Sequence, residues 1–517
     1  MRIDVIETPD AFGALEPNWN AVYDADPDAQ LFLSWSWLSG WLKQISSPWV
    51  ILAASEDAED APYIAFLPLR VQLKSDDAQL RNELNMAGNF AADYTGLLCA
   101  PAFDHQAIPA FARYLKQMNW ARLNFENIRM SDARTRLMLA HFPKAKFQVE
   151  EISRVGKVDG IDNNLCPFAK LPAGWDAYLA GLSANTRQKI RRLLKQVDTP
   201  GEYRITQATS ETIDRDLDTL LKFWEIKWKP RKGDLVHTLV RSNRAMLATS
   251  FKSGLLLLPT LWQGDRPVAA LATLIDRRKH TLLFYMTGRD ETFDGLSPGL
   301  TLHGYSIRQA IADGFIEYDF LRGNESYKFS FGVDVRQIKC ISIATRNGQN
   351  LGNRLDQRTL DDALKQATEL HQAGKLPEAE RAYRQILDVE ADHADAVHRL
   401  GQLLTTRGRH AQAKLLFARL TSLRTDTYKS WLCLAQSCEA LGEQLEAARC
   451  YRKVMQLRPD LPDAFTGLGR TLEKLGRIDQ LDAALEAVIG PAPARSGKSK
   501  WRERPQGSGA DDQPLLM

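Results

Sequence analysis

Residues Leu296–Gly332 read LSPGLTLHGYSIRQAIADGFIEYDFLRGNESYKFSFG, and the order of elements in this stretch decides the fold. Pro298-Gly299 breaks the chain ahead of a helical pattern whose apolar side is Leu300, Leu302, Ile307 and Ile311. Asp313-Gly314 ends that pattern. Phe315–Leu321 then predicts a strand, and Arg322-Gly323 its exit turn. Asn324, Glu325, Ser326, Tyr327 and Lys328 follow at once. A helix start beside a strand end is a natural anion site, because free backbone N–H groups and the helix dipole converge there. Asp319 and Arg322 flank the point where the strand stops. The period of two puts Asp319 on the same face as Leu321, with Arg322 on the other face or in the turn.

Upstream, Leu255–Trp262 and Pro267–Asp276 predict strands joined by a QGDR hairpin turn, and Lys279–Gly288 a further strand. Three helices precede them. In the first, Leu182, Ile190, Leu193, Leu194 and Val197 share one side, with Ser183 or Asn185 as cap. Its other sides carry Arg187, Lys189, Arg191, Arg192 and Lys195, five cations within nine residues. That surface is either an electropositive wall for an anionic ligand or a solvated helix face. The second helix is Leu217–Trp228, and Lys227, Lys229, Arg231 and Lys232 cluster at its end around Trp228 and Pro230. This segment reads as a mobile acceptor loop or a polar connection. Arg241–Lys252 is the third.

The first 155 residues predict a separate α+β layout. Leu31–Ile45 is an aromatic helix whose Trp35, Trp37 and Trp41 are core candidates. Trp49–Ala54 and Tyr63–Leu73 are paired strands, and Pro68 suggests an edge or bulge in the second. Phe111–Gln117 is a helix, Ala121–Asn127 a strand, and Lys146–Ser153 closes the sheet. Asp93-Tyr94 lies between a glycine turn and an apolar strand, fitting turn chemistry and core packing or ligand binding.

From Leu360 the periodicity changes. Gly374, Gly408, Gly442 and Gly476 each follow the last by 34 residues. Ala379, Ala413, Ala447 and Leu481 recur at a small-residue site, and Tyr383, Phe417, Tyr451 and Leu485 at an aromatic one. Leu400-Gly401 and Leu468-Gly469 repeat in the first helix of each pair, and Pro459 follows the third repeat. That pattern is the tetratricopeptide repeat, a protein-binding solenoid. The segment RNGQNLGNRLDQR reads as the linker before it. The Pro/Gly/Ser-rich tail 491–517 is expected to be disordered.

Composition sets outer limits. The chain has 517 residues, 44% hydrophobic and 25% charged, with a formal net charge of +3, which gives no global argument for nucleic-acid binding. Six scattered cysteines (Cys99, Cys166, Cys340, Cys433, Cys438, Cys450) show no metal-ligand spacing and favour a reducing compartment. Without an apolar leader in MRIDVIETPDAF or a membrane-length apolar run, a cytoplasmic location is expected, with peripheral contact at the inner membrane face left open.

Ser297-Pro298-Gly299, Asp319-Phe320, Arg322-Gly323 and Tyr327-Lys328 together resemble the GNAT-superfamily acyltransferase domain of bacterial polysaccharide- and cellulose-biosynthesis proteins, a relative of the Fem-type aminoacyltransferases. Phe32–Trp41, Ala65–Leu69 and Asp93-Tyr94 extend the resemblance into the first unit. It implies an α+β fold of tandem GNAT-like units, 1–155 and 156–350, followed by an all-α tetratricopeptide-repeat solenoid over 360–490. It also implies N-acyl transfer from acyl-coenzyme A to an amine on a sugar or lipid envelope precursor, without metal, while the repeats recruit a protein partner. A Fem-type transferase using aminoacyl-tRNA, or an inactive scaffold acting through its repeats, is the alternative. By the same resemblance Phe284, Tyr285 and Met286 hold the thioester carbonyl. Ser297, Gly299 and Leu300 form the pyrophosphate turn, in which Pro298 contributes no N–H. Asp319 is the expected base or amine-orienting group, and Tyr327 the acid for the departing thiolate. Asp93, Tyr94, Arg187, Arg191, Arg322 and Lys328 are the expected substrate contacts, and His303 is structural.

Overall fold

The computed structural model describes residues 1–480 apart from 59, 77–78, 424–426 and 478–479. It falls into two units divided after Gln366. The first contains two eight-stranded sheets. The strands are β1 (Arg2–Ile6), β2 (Trp49–Ser55), β3 (Tyr63–Asp76), β4 (Gln79–Met86), β5 (Leu98–Cys99), β6 (Arg122–Ile128), β7 (Phe147–Glu151) and β8 (Leu165–Lys170). They continue with β9 (Tyr203–Gln207), β10 (Leu256–Leu257), β11 (Pro259–Gln263), β12 (Arg266–Asp276), β13 (Thr281–Arg289), β14 (Glu317–Asp319), β15 (Asp334–Gln337) and β16 (Lys339–Thr345).

The first sheet runs β1-β2-β3-β4-β6-β16-β7, with β5 beside β3. The second runs β15-β8-β14-β13-β12-β11-β9, with β10 beside β12. Among the described strands each sheet is antiparallel except for one pair, β4 with β6 and β13 with β14. The two halves are thus mixed α/β lobes of related design, a GNAT-like fold. The strand β16 follows the second lobe in sequence, yet it pairs with β6 and β7 of the first sheet.

Local chemistry explains most element boundaries. Ser34 caps the aromatic helix Trp35–Leu42 through its side chain. Trp35, Trp37 and Trp41 are all buried, as expected of core residues. Pro68 is not on an edge strand. It lies in β3 where the partner on one flank changes from β5, ending at Phe66, to β4, beginning at Leu69. An absent N–H costs least at such a gap. The expected loop at Lys227–Lys232 is instead the end of helix Ile213–Lys232, which continues through Pro230 to Gly233. The expected linker is also held. Asn82 bonds the Asp356 N–H (2.8 Å) and the Thr359 hydroxyl (2.7 Å), and Asn350 Oδ1 accepts the Asn82 N–H (2.8 Å).

The core of the second lobe lies on both faces of its sheet. Helices Ala184–Asp198 and Pro298–Ala312 cover one face with Ile190, Leu194, Leu302 and Ile307. Helices Ile213–Lys232 and Leu235–Lys252 cover the other, and there Leu217, Leu247 and Met286 share one apolar cluster with Trp19, Phe32 and Trp37 of the first lobe. Gly288 allows the close approach on this side: a Cβ there would stand 2.5 Å from the Leu220 carbonyl oxygen and 2.8 Å from the Phe223 Cβ.

The second unit is a run of helices: Leu376–Val389, Ala394–Thr406, His410–Leu423, Tyr428–Ala440, Gln444–Leu457 and Pro462–Lys474. The four periodic glycines adopt φ of +73°, +71°, +77° and +65°, each in the turn that follows a helix. Ala379, Ala413 and Ala447 are buried with Tyr383, Phe417 and Tyr451. Gly401 faces the Phe417 ring and Gly467 the Tyr451 ring, where a Cβ would stand 2.6 and 2.3 Å away. Leu481, Leu485 and the tail 491–517 lie outside the described residues. No helix among the described residues is long and apolar enough to cross a membrane.

Candidate active-site cleft

The site is built where β13 and β14 part. Their parallel pairing ends at Leu283 with Asp319, while β13 continues to Arg289. From Phe284 onward the β14-facing edge of β13 has no strand partner among the described residues. A bulge falls at the same place, because Ala272 pairs with Met286 and Thr273 with Phe284, leaving Tyr285 as the extra residue. Phe284 therefore packs toward His303, with ring centroids 4.6 Å apart, whereas Met286 joins the opposite apolar cluster. The Tyr285 hydroxyl donates to the Ala91 carbonyl at 3.0 Å, so this side chain is a strut to the first lobe.

A cleft of about 440 Å³ opens beside this edge. Thr287 and Arg289 of β13 line it, with Ser297, Gly299, Leu300 and His303 of helix Pro298–Ala312, Lys189 and Lys227 across from them, and Tyr327, Ser330 and Phe331. The first helical bond runs from the Thr301 N–H to the Ser297 carbonyl at 3.0 Å, so the Gly299 and Leu300 N–H groups precede the ladder. No atom lies within 4 Å of where a Gly299 Cβ would be. Three cations, Lys189, Lys227 and Arg289, thus share the cleft with a helix N-terminus; none of the lining residues is a carboxylate, though Arg289 also pairs with Glu291 at 2.8 Å.

His303 is 1% exposed. Its Nδ1 is 2.9 Å from the Tyr318 hydroxyl. Burial, with a smaller contribution from Lys328, holds its pKa down at about 3, so the ring is neutral. Tyr327 is 43% exposed and its ring lies 5.9 Å from that of His303. Desolvation, then the Glu325 carboxylate, pushes the Tyr327 phenol above its usual value, keeping the proton on oxygen at neutral pH.

Asp93, Tyr94, Asp319 and Arg322 come together between the lobes, Tyr94 and Asp319 buried and the Asp93–Arg322 pair half-buried. Asp319 has no exposed surface. Its Oδ1 accepts from the Leu321 N–H (2.7 Å) and the Tyr94 hydroxyl (2.9 Å), and its Oδ2 from Arg336 (2.7 Å). Burial raises its pKa and Arg336 pulls it back down. The expectation that Asp319 meets the acceptor amine does not fit this placement, since its carboxylate is enclosed and its oxygens are taken. Arg322 pairs with Asp93, Nε to Oδ1 at 2.8 Å, and reaches Asn127 at 3.3 Å. Lys328 is 2% exposed. Its ammonium is spent on the Arg322 and Gly323 carbonyls (2.8 and 2.9 Å) and Glu325 (2.9 Å), which closes the turn and leaves no donor for a substrate. Arg187 and Arg191 do not line the cleft. Arg191 meets Asp176 at 3.4 Å, and Lys189, on the other side of the helix, faces the cavity.

Sequence reasoning gave no role in the site to Thr287, Arg289 or Arg336, and it placed Lys189 and Lys227 only within wider basic segments. For Lys189 the signal was present in the helical period, because residues two apart on a helix point in nearly opposite directions. For Arg336 there was none. It reaches Asp319 and Glu317 only because β14 and β15 both pair with β8.

Residues 184–329 match the family model described as Acetyltransferase (GNAT) domain, and residues 370–431 match the tetratricopeptide repeat. The chain carries a GNAT-type acyltransferase domain, and tetratricopeptide repeats follow it. Among solved structures it is similar to FemX, at TM-score 0.47 and 9% identity over 66% of this chain and 97% of that one. The repeats are similar to MamA, at TM-score 0.24 and 18% identity over 25% of this chain and 76% of that one. They are also similar to the first tetratricopeptide repeat of Spaghetti (RPAP3) bound to the HSP90 peptide SRMEEVD, at TM-score 0.23 and 18% identity over 23% and 96%. No curated protein matches the chain. Among the described residues no group of three or more His, Cys, Asp or Glu is placed to hold a metal ion.

Proposed function

We propose that the chain transfers an acyl group from acyl-coenzyme A to an amine on a sugar or lipid envelope precursor, as the polysaccharide-biosynthesis resemblance suggests, and that its repeats recruit a protein partner to that reaction. One observation carries this reading: the unpaired end of β13, at Thr287 and Arg289, and the start of helix Pro298–Ala312 face one cleft with three cations. The donor set suits a pyrophosphate. Lys189, Lys227 and Arg289 supply charge, and the Gly299 and Leu300 N–H groups supply directed bonds, which offsets the N–H missing at Pro298. Acyl-coenzyme A would bring the activated acyl group and a thiolate leaving group.

The chain's own residues then have separate tasks. Backbone N–H groups on the unpaired edge of β13 hold the carbonyl oxygen as negative charge grows on it. Tyr327 gives its phenolic proton to the departing sulfur; its raised pKa keeps that proton on oxygen until the thiolate forms, and solvent restores it afterwards. Asp319 acts at one remove, fixing Leu321 and the Arg322-Gly323 turn behind Tyr327. The acceptor ammonium loses its proton to solvent through the cleft mouth, because the lining has no carboxylate and burial holds His303 at a pKa of about 3, too weak a base to take it. Isothermal titration with acetyl- and long-chain acyl-coenzyme A tests the reading. Binding is expected, and Arg289→Gln should weaken it about tenfold, the worth of one charge-assisted contact. A protein that binds neither thioester but accepts aminoacyl-tRNA would overturn the coenzyme A assignment.

A further inference from the structure

Helices Ile213–Lys232 and Leu235–Lys252 form a hairpin turned by Gly233, whose φ is +55°. Its tip carries large apolar side chains that face water: Ile226 is 55% and Leu235 59% exposed. The two are held near each other, because His237 Nδ1 lies 3.2 Å from Glu225. A second element meets the tip where Arg231 lies 3.5 Å from Asp159, and the neighbouring Val158 is 91% exposed. Cations ring these groups. Lys227, Arg231 and Lys232 stand 5.8, 5.6 and 5.3 Å from the Trp228 ring, and Lys229 and Lys157 are exposed beside them. Three carboxylates, Asp159, Glu225 and Asp234, offset part of this charge and leave the five cations in excess.

We propose that this tip docks on an anionic lipid bilayer. Exposed aliphatic side chains with a tryptophan among lysines are the composition of an interfacial anchor: the apolar groups enter the headgroup boundary, and the cations meet lipid phosphates. A polyanion such as RNA would use the cations but has no need of Val158, Ile226 and Leu235. The tip adjoins the cleft, since Lys227 belongs to both. Docking would therefore hold the cleft mouth close to the membrane surface, where the amine of a lipid-linked acceptor lies. That consequence rests on the acyltransfer reading, whereas the docking itself does not.

The test is sedimentation of the full chain with vesicles of phosphatidylcholine mixed with phosphatidylglycerol, against phosphatidylcholine alone, with no acyl donor present. Binding to the anionic vesicles only, weakening with added salt, is expected. The triple change Lys229→Gln, Arg231→Gln and Lys232→Gln should reduce partitioning about 100-fold, at roughly fivefold per cation. Ile226→Asp with Leu235→Asp should abolish it without lowering the melting temperature, because both residues are exposed. Failure to bind, or binding that survives Ile226→Asp with Leu235→Asp, overturns the proposal. So does retention of a single-stranded RNA oligonucleotide that depends on the cations but not on the two aliphatic residues. Vesicle binding by a protein that binds no acyl-coenzyme A would uphold docking and sink the enzymatic reading separately.

Discussion

The Asp319→Asn variant separates a positioning role from a chemical one. The amide keeps an oxygen for the Leu321 N–H and the Tyr94 hydroxyl, which now lie at 2.7 and 2.9 Å. Its NH2 group must then take the place of Oδ2 and faces the Arg336 guanidinium, donor to donor, across 2.7 Å. The site has no exposed surface, so water cannot relieve the contact. Breaking a buried pair costs roughly 3–5 kcal/mol. The lower end applies, because Arg336 keeps two bonds to Glu317 at 2.9 and 2.8 Å. At roughly 2 °C per kcal/mol for a unit of this size, the melting temperature of the transferase unit should fall by about 6 °C. Leu321 adds to the effect, since it holds φ at +56°, a conformation costly for a side chain of its size. The assay is a thermal melt followed by turnover per folded molecule well below the transition. The expected outcome is a lower melting temperature with turnover changed by less than about threefold, far short of the roughly 10²–10⁴-fold of a positioned acid or base. An unchanged melt with turnover down about 100-fold or more would refute the positioning role and return Asp319 to the chemistry.

Tyr327→Phe should show the opposite pattern: turnover down by about 10² or more, as for loss of a general acid, with little change in melting, because the residue is 43% exposed. Full turnover would remove Tyr327 from proton transfer. Asp290 accepts from Arg266 and from the Thr292 N–H (2.9 Å) and hydroxyl (2.7 Å), and the Arg266 bond first, then Thr292, lowers its pKa to about 2. A carboxylate depressed on folding stabilises above its ordinary pKa of 3.8 and loses that contribution as pH falls through about 2. Asp290→Asn should therefore cost about 1 kcal/mol at neutral pH. In melts from pH 7 to pH 2 most of the difference should be lost at the acid end, and a constant difference would contradict the assignment.

Local signals made much of this molecule readable. The left-handed turn glycines recur because only the repeat geometry needs them at that spacing. Pro298-Gly299 and Asp313-Gly314 bracket a helix found at Pro298–Ala312, because a proline start and a glycine stop act within one turn. The meeting of Asp93, Tyr94, Asp319 and Arg322 was legible only as an association of motifs. What each side chain does there was not, because enclosure depends on strands far apart in sequence. Arg336 and Arg289 reach their places by sheet register alone. Pro230 misled for a related reason: the tip of a helix can lose one backbone bond to water when both flanking turns are good helix formers. The supposed linker looked free because its polarity gave no hint that Asn82 would bind it.

The return of β16 to the first sheet has a consequence for synthesis. β16 lies between β6 and β7, and it is the one described strand that pairs with β7. While a ribosome makes the chain, the first lobe emerges with a missing inner strand, and the whole second lobe is translated before the gap is filled. Until Thr345 clears the exit tunnel, the Arg122–Ile128 edge stays open to pairing with neighbouring nascent chains. The two lobes consequently mature together, at the end of translation of the transferase unit, and a polysome crowded with half-made copies is the place where this protein is most prone to aggregate.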